Sequence, residues 1–107
     1  MEEQEKFWIQ LTYQGKSVDF EVEDVNRSLD SLLDNVRRAQ DANGPVFNMP
    51  EINDDGGRII YYFGRKQENG KQEILQPVDS NREEMTLEDY NVQCGDSLII
   101  LREVIAG

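Results

Sequence analysis

The sequence has no histidine, one cysteine and three prolines among its 107 residues. A single cysteine cannot form a disulfide within the chain, which favours a reducing compartment. Without histidine, the chain lacks the side chain that most often acts as a general acid or base near neutral pH. The cysteine, Cys94, has no basic neighbour in the sequence that would stabilise a reactive thiolate. We therefore expect a protein that is not an enzyme and that needs no cofactor.

Long apolar runs and clusters of basic residues are also scarce. The longest apolar run has five residues, far below the roughly 20 that a membrane-spanning helix needs. The start, Met-Glu-Glu-Gln-Glu-Lys, is unlike a cationic signal sequence. These features predict a cytoplasmic protein with no membrane partner.

Acidic residues outnumber basic ones by 22 to 11, which gives a net charge of -11. Because lysine and arginine hold phosphate backbones, this balance argues against nucleic acid as a partner. Acidic residues at Glu51, Asp54 and Asp55 lack the alternation and the distal glutamate of a calcium loop, so we assign them to turns and expect no metal. Other proteins, reached with electrostatic steering toward basic surfaces, remain as partners of an expected monomer.

Apolar and polar residues alternate in two segments near the start. A turn at Gln14-Gly15-Lys16 separates them, and the period of two predicts an antiparallel hairpin with one apolar face. The apolar positions are Phe7, Ile9, Leu11, Val18, Phe20 and Val22. Trp8 falls on the opposite face, where it is either partly covered by a loop or a binding anchor.

From Ser28 the apolar period changes to about 3.6, which predicts one amphipathic helix. Its stripe is Leu29, Leu32, Leu33, Val36 and Ala39. Ser28 is the expected N-cap, and the helix is expected to end by Asn43-Gly44-Pro45, where glycine can adopt a left-handed cap. Arg37 and Arg38 are better explained by the helix dipole than as a docking site.

The rest of the sequence, after the predicted helix, predicts three strands and one short helical turn. The strands are residues 58–64, residues 72–76 after the turn Glu68-Asn69-Gly70-Lys71, and a closing strand with Leu98 to Leu101. Thr86 is the expected cap of the short helical turn, which precedes the closing strand. Apolar residues in the connection 44–57, among them Phe47, Met49 and Ile52, indicate that it is pinned over the edge of a core.

This order of elements predicts an α+β fold, a β-grasp in which a mixed sheet of about five strands carries one helix across it. The first and last strands should pair in parallel at the centre of the sheet. We expect a single domain over 6–105, a flexible acidic lead-in over 1–5 and a tail at 106–107. The predicted core consists of Phe7, Ile9, Leu11, Val18, Phe20, Val22, Leu29, Leu32, Leu33, Val36, Leu98 and Ile100.

Two segments resemble the ubiquitin family. Residues 86–93, Thr-Leu-Glu-Asp-Tyr-Asn-Val-Gln, are similar to the family's Thr-Leu-x-Asp-Tyr-Asn-Ile-Gln segment, and the similarity runs without a gap to Gly107. Residues 58–61 and Gly64 resemble its Arg-Leu-Ile-Phe-Ala-Gly strand with one extra residue. The resemblance implies the ubiquitin-like fold.

For function the resemblance implies more than one class of protein. A modifier would be adenylated at Gly107 by an activating enzyme and conjugated to targets, although Ala106 replaces the family's penultimate glycine. The alternative is a noncovalent adaptor, similar to the ubiquitin-like accessory proteins of type VII secretion, with a secretion component as partner. A sulfur carrier is a third option. A modifier requires a mobile tail after Glu103, whereas pairing of the tail into the sheet through Ile105 would favour the adaptor.

The predicted docking face consists of Ile60, Tyr62, Ile99 and Leu101. The period of two along their strands turns these side chains away from the helix, and the resemblance implies that this sheet face is a recognition surface. A competing interpretation is that the connection carrying Phe47, Met49 and Ile52 folds over the face and only enlarges the core.

Overall fold

The computed structural model describes residues 7–105, so the acidic lead-in and the tail at 106–107 lie outside the described residues. The elements are β1 (Phe7–Tyr13), β2 (Lys16–Val22), α1 (Leu29–Arg38), β3 (Gln40–Asp41), β4 (Gly44–Pro45), β5 (Arg58–Lys66), β6 (Gln72–Leu75) and β7 (Ser97–Ile105). No helix within this part of the chain is both long and apolar enough to cross a bilayer.

Five strands form one mixed sheet in the order β2-β1-β7-β5-β6, and α1 packs across one of its faces. The first and last strands, β1 and β7, pair in parallel at the centre, as predicted, while all other pairs in the sheet are antiparallel. The α+β class and the five-stranded sheet with one helix across it are therefore confirmed. We call the face that carries α1 the inner face and the opposite one the outer face.

The hairpin between β1 and β2 closes with a two-residue turn. Gln14 and Gly15 both have positive φ angles, of 50° and 80°. Positive φ at both central positions defines the turn whose twist matches that of the flanking strands. Tyr13 therefore lies directly opposite Lys16, and the register continues to Phe7 opposite Val22.

Helix α1 begins as predicted and ends at Arg38, before the predicted limit at residues 43–45 and without a glycine cap. The Ser28 side chain accepts a hydrogen bond from the Ser31 N–H, which satisfies one unpaired donor of the first turn. At the other end the backbone becomes extended at Ala39, whose carbonyl accepts from the Val46 N–H at 2.9 Å. Gly44, with a φ of 115°, lies in β4, which pairs with β3, and does not cap the helix.

The core lies between α1 and the inner face. Most of the predicted core residues are buried, but Phe7, Val18, Phe20 and Leu33 are only partly buried. Two of these, Val18 and Phe20, belong to the edge strand β2, which has a neighbour on one side only. The core also contains buried residues outside the predicted set: Tyr13, Phe47, Met49, Ile59, Phe63, Leu75, Leu87 and Val92.

The predicted helical turn at Thr86 is a hydrogen-bonded turn that does not extend into a helix. The Asp89 N–H donates to Thr86 Oγ1 at 3.2 Å, and the Thr86 N–H donates to Asp89 Oδ2 at 2.9 Å. This reciprocal pair resembles a capping box, with Asp in place of Glu. It positions Leu87 in the core, where its side chain is 1% exposed.

Candidate protein-docking face

The four predicted docking residues lie together on the outer face of the sheet. Ile60 and Tyr62 belong to β5, Ile99 and Leu101 to β7, and all four are partly exposed. Their chain neighbours on the inner face, Ile59, Phe63, Leu98 and Ile100, are buried. The alternation of side chains along a strand explains this division.

Register determines which of these residues touch across the strands. Tyr62 lies directly opposite Leu101, whereas Ile60 lies opposite Glu103. Ile60 is therefore at the border of the apolar surface. The Tyr62 hydroxyl donates to Glu103 Oε2 at 3.3 Å. Partial burial, and then the neighbouring Glu103 carboxylate, raise the pKa of Tyr62 above its usual value of 10.0.

Gly64 brings the side chains of β7 close to the backbone of β5. A Cβ at Gly64 would lie 2.9 Å from Leu101 Cδ1 and 3.1 Å from Ile99 Cγ1. Only glycine lacks the Cβ that would occupy this space, so the side chains of Leu101 and Ile99 can pack directly against the backbone of β5. The predicted strand ends at Gly64, but β5 continues to Lys66. A glycine inside a strand pattern was the signal for such a close approach.

Ile74, which was not among the predicted docking residues, extends the apolar surface across the next strand, β6. It lies opposite Gly64 in the β5-β6 register and is 46% exposed. Ile99 lies opposite Gly64 on the other neighbouring strand, so Ile74 and Ile99 flank the glycine from either side. We define the outer apolar patch as Ile60, Tyr62, Ile74, Ile99 and Leu101.

The connection between α1 and β5 does not cover this patch. Phe47 is 3% exposed and stacks edge-to-face on Tyr13, with ring centroids 6.0 Å apart, within the core beneath α1. Met49 is buried in the same cluster. The Tyr61 hydroxyl, on the inner face of β5, donates to the Pro50 carbonyl at 2.6 Å. The connection therefore enlarges the core from the inner side, and the outer face remains open.

Trp8 lies on the outer face of β1, away from the patch. The Gly95 N–H donates to the Trp8 carbonyl at 2.7 Å, and a Cβ at Gly95 would lie 3.6 Å from the indole ring. The corner at Gly95 thus partly covers the ring, which is still 41% exposed. A hydrogen bond of 2.9 Å between the Ser97 hydroxyl and Gln10 Oε1 makes the surface between Trp8 and the patch polar.

The end of the described chain is part of the sheet. Val104 lies opposite Ile59 and Ile105 opposite Arg58 in the antiparallel register of β5 and β7. The expectation of a mobile segment immediately after Glu103 was therefore wrong. Ordered pairing arises because β5 extends back to Arg58 and offers a partner to both residues.

Arg37 joins the end of α1 to the connection. Its guanidinium contacts Glu51 at 2.7 Å and Asp34 at 3.3 Å. Arg38 also reaches Asp34, at 3.3 Å. The basic pair thus acts at the helix end, as predicted, and Arg37 also holds the connection in place.

Among residues 7–105, no group of three or more acidic or sulfur side chains could hold a metal ion. No protein-family model matches the chain, and neither a curated protein nor a solved structure matches it. The outer apolar patch and the pairing of β7 with β5 are therefore the features of the molecule that bear on function.

Proposed function

We propose that this protein is a noncovalent protein-interaction module with a ubiquitin-like β-grasp fold, and that a partner protein docks on the outer apolar patch. The sheet order with a parallel central pair, the helix across the inner face and the resemblance of residues 86–107 support the ubiquitin-like assignment. The patch supports docking because contiguous exposed apolar surface is uncommon on a domain that has no partner.

The pairing of Val104 and Ile105 with β5 is the observation that favours a noncovalent module over a modifier. The resemblance aligns these residues with the tail that an activating enzyme threads through a narrow channel. Here that segment would first have to leave the sheet. Ala106 adds a side chain at a position where the family has glycine.

The patch also has the composition of a binding centre. A few desolvated side chains, with tyrosine prominent among them, contribute most of the energy at protein interfaces. Tyr62 and Leu101 face each other at the middle of the patch, and Glu103 provides a charged border. The net charge of -11 favours a partner whose surface around the contact is basic.

Site-specific photocrosslinking in the producing cell tests the proposal. A photoreactive phenylalanine analogue at Tyr62 should give discrete crosslinked products, and mass spectrometry should identify the same partner in repeated experiments. The same probe at Asp30, which is exposed on α1 on the opposite side of the sheet, is the matched control. Adding Leu101→Asp to the Tyr62 probe should remove the products.

Conjugation through Gly107 is the second candidate because the similarity to the ubiquitin family is ungapped up to that residue. It predicts adducts that form without light, resist denaturation and contain Gly107 in an isopeptide bond. Deletion of Gly107 would remove those adducts but not the photocrosslinks. Light-independent adducts of this kind, or equal crosslinking from Tyr62 and Asp30, would overturn the proposed module.

A further inference from the structure

Strand β6 forms the edge of the sheet farthest from β2, and no described strand pairs with its free side. Just before β6, the Gln67 N–H donates to the Lys71 carbonyl at 2.7 Å. Hydrogen-bonded pairs in an antiparallel ladder recur at every second residue, so the next such pair with β5 is at Glu73. The backbone groups of Gln72 and Ile74 therefore point away from β5, where another strand could use them.

This edge has no uncompensated charge, although the chain has a net charge of -11. Within β6 the one charged side chain is Glu73, and it is paired with Arg65 on β5, whose guanidinium nitrogen lies 3.1 Å from Oε2. Gln72 is neutral and exposed, and Ile74 is 46% exposed. Charged side chains commonly protect an edge strand from pairing with another chain. The free side of β6 lacks that protection.

We propose that β6 pairs antiparallel with β6 of a second copy of this chain. A two-fold axis through Ile74 would place this residue beside Ile74 of the other copy, and Gln72 beside its Gln76. Apolar and amide side chains then meet, and no charge lies opposite a like charge. An axis through Glu73 would instead place two carboxylates side by side, so the side chains favour the first register.

The end of β6 is fixed in a way that supports this register. Gln76 follows the strand, and the Tyr90 hydroxyl donates to its carbonyl at 2.8 Å. The Gln76 side chain is exposed and neutral, like that of Gln72. Because β6 has only four residues, the ladder is short and the dimer should dissociate on dilution. A weak dimer thus replaces the monomer expected from the sequence.

Assembly through this edge should stop at the dimer. A two-fold pairing uses both β6 edges and leaves the two β2 edges at the ends of the combined sheet. Asp19 and Glu21 are exposed on β2. Pairing of one β2 edge with another would bring these carboxylates close to those of a further copy, and like charges on neighbouring strands destabilise pairing.

The dimer would join the outer apolar patches of the two copies. Its two-fold axis is perpendicular to the sheet, so both outer faces lie on the same side. Ile74 belongs to the patch and lies at the axis, which makes the two patches continuous. A consequence that rests on the proposed function is that a partner with two docking elements could engage both patches and bind with higher avidity.

Sedimentation equilibrium of the full chain tests the dimer. From micromolar to millimolar concentration, the mass should rise from that of a monomer toward that of a dimer. Amide exchange at Gln72 and Ile74 should slow over the same range because their N–H groups become paired, while exchange at Ser17 and Asp19 on β2 should not change. A monomer mass throughout would overturn the inference, as would slowing at β2 alone.

Charge substitution outside the patch tests the register. The variants Gln72→Lys/Gln76→Lys and Gln72→Glu/Gln76→Glu should each dimerise at least about tenfold more weakly than the natural protein, since like charges would lie opposite each other. General repulsion cannot explain the loss in the lysine variant, because its net charge is less negative. A mixture of both should form a heterodimer at least about tenfold more tightly than either variant forms a homodimer, since each lysine then faces a glutamate.

The matched control is Gln72→Asn/Gln76→Asn, which keeps both positions neutral and should dimerise like the natural protein. A cooperative thermal transition in each variant shows that the domain is folded. Homodimers of the lysine and glutamate variants as stable as the natural dimer would overturn the inference. Absence of the heterodimer in the mixture would also overturn it.

The dimer edge and the docking patch are tested separately. Leu101→Asp should leave dimerisation unchanged, since Leu101 on β7 lies two strands away from β6. The variant Gln72→Lys/Gln76→Lys should still give the photocrosslinks from Tyr62. Failure of the sedimentation experiments therefore leaves the proposed docking patch intact, and failure of the photocrosslinking leaves the dimer edge intact.

Discussion

Gly57 lies directly against Val104. A Cβ at Gly57 would be 3.1 Å from Val104 Cγ1 and 3.1 Å from the carbonyl oxygen of Ile105. The Gly57 N–H donates to Asn53 Oδ1 at 2.7 Å, which fixes the turn that holds the glycine in place. The long connection before β5 therefore packs against the end of β7 and holds Val104 and Ile105 in the sheet.

We expect Gly57→Ala to loosen the end of β7. The added methyl group would displace backbone as well as side-chain atoms, at a cost of about 1 kcal/mol of unfolding free energy. Amide exchange at residues 103–105 should become faster, while exchange at Leu98 should stay unchanged. Identical exchange at residues 103–105 in both proteins would show that the contact does not restrain the tail.

Adjacent leucines on α1 should differ in their contribution to stability. Leu32 is 3% exposed, whereas Leu33 is only partly buried at the border of the core. Leu32→Ala should lower the unfolding free energy by about 2 to 5 kcal/mol through lost transfer energy and a new cavity, and Leu33→Ala should cost clearly less. Urea denaturation of both variants measures the difference. A larger loss for Leu33→Ala would contradict the orientation of the helix.

A charge at Leu101 should leave the domain folded. The side chain is partly exposed on the outer face, so the carboxylate introduced by Leu101→Asp can reach water, and the loss should be about 1 to 2 kcal/mol of apolar contact. A cooperative thermal transition should remain, together with loss of the photocrosslinks. The contrasting variant Ile100→Asp places the carboxylate in the core and should abolish the transition. Equal unfolding by both changes would show that the outer face is buried.

Tyr61 should make the protein sensitive to alkaline pH. Partial burial, with a further contribution from Tyr13, raises the pKa of Tyr61 from 10.0 to about 12. A group whose folded pKa is raised contributes stability that is complete below its unfolded pKa and is lost as pH rises through the folded value. Because water screens this half-buried phenol, the expected loss between pH 10 and 12 is about 1 to 2 kcal/mol.

Urea midpoints across this pH window, compared between the natural protein and Tyr61→Phe, measure that contribution. The variant should lose less stability on going from pH 10 to 12. It should be less stable below pH 10, since it lacks the hydrogen bond to the Pro50 carbonyl. Parallel pH curves for the two proteins would exclude Tyr61 as the titrating group.

Local signals in the sequence predicted the elements well where a single physical requirement decided the outcome. The positive φ angles at Gln14 and Gly15 follow from the need for a tight hairpin turn, and Ser28 caps α1 because its hydroxyl reaches the Ser31 N–H. The predicted glycine cap was wrong because a glycine such as Gly44 can serve either a helix cap or a turn. A backbone hydrogen bond from the Val46 N–H to the Ala39 carbonyl, on either side of Gly44, decided for the turn.

The sequence by itself determined which residues alternate along each strand, and therefore that Ile60, Tyr62, Ile99 and Leu101 share a face away from the helix. Only the tertiary structure decided that this face stays open, because the same apolar residues Phe47 and Met49 could have covered either side of the sheet. Tertiary structure also decided that Val104 and Ile105 belong to β7. Strand length depends on whether a neighbouring strand offers paired backbone groups, and that neighbour, β5, is about 45 residues away in the sequence.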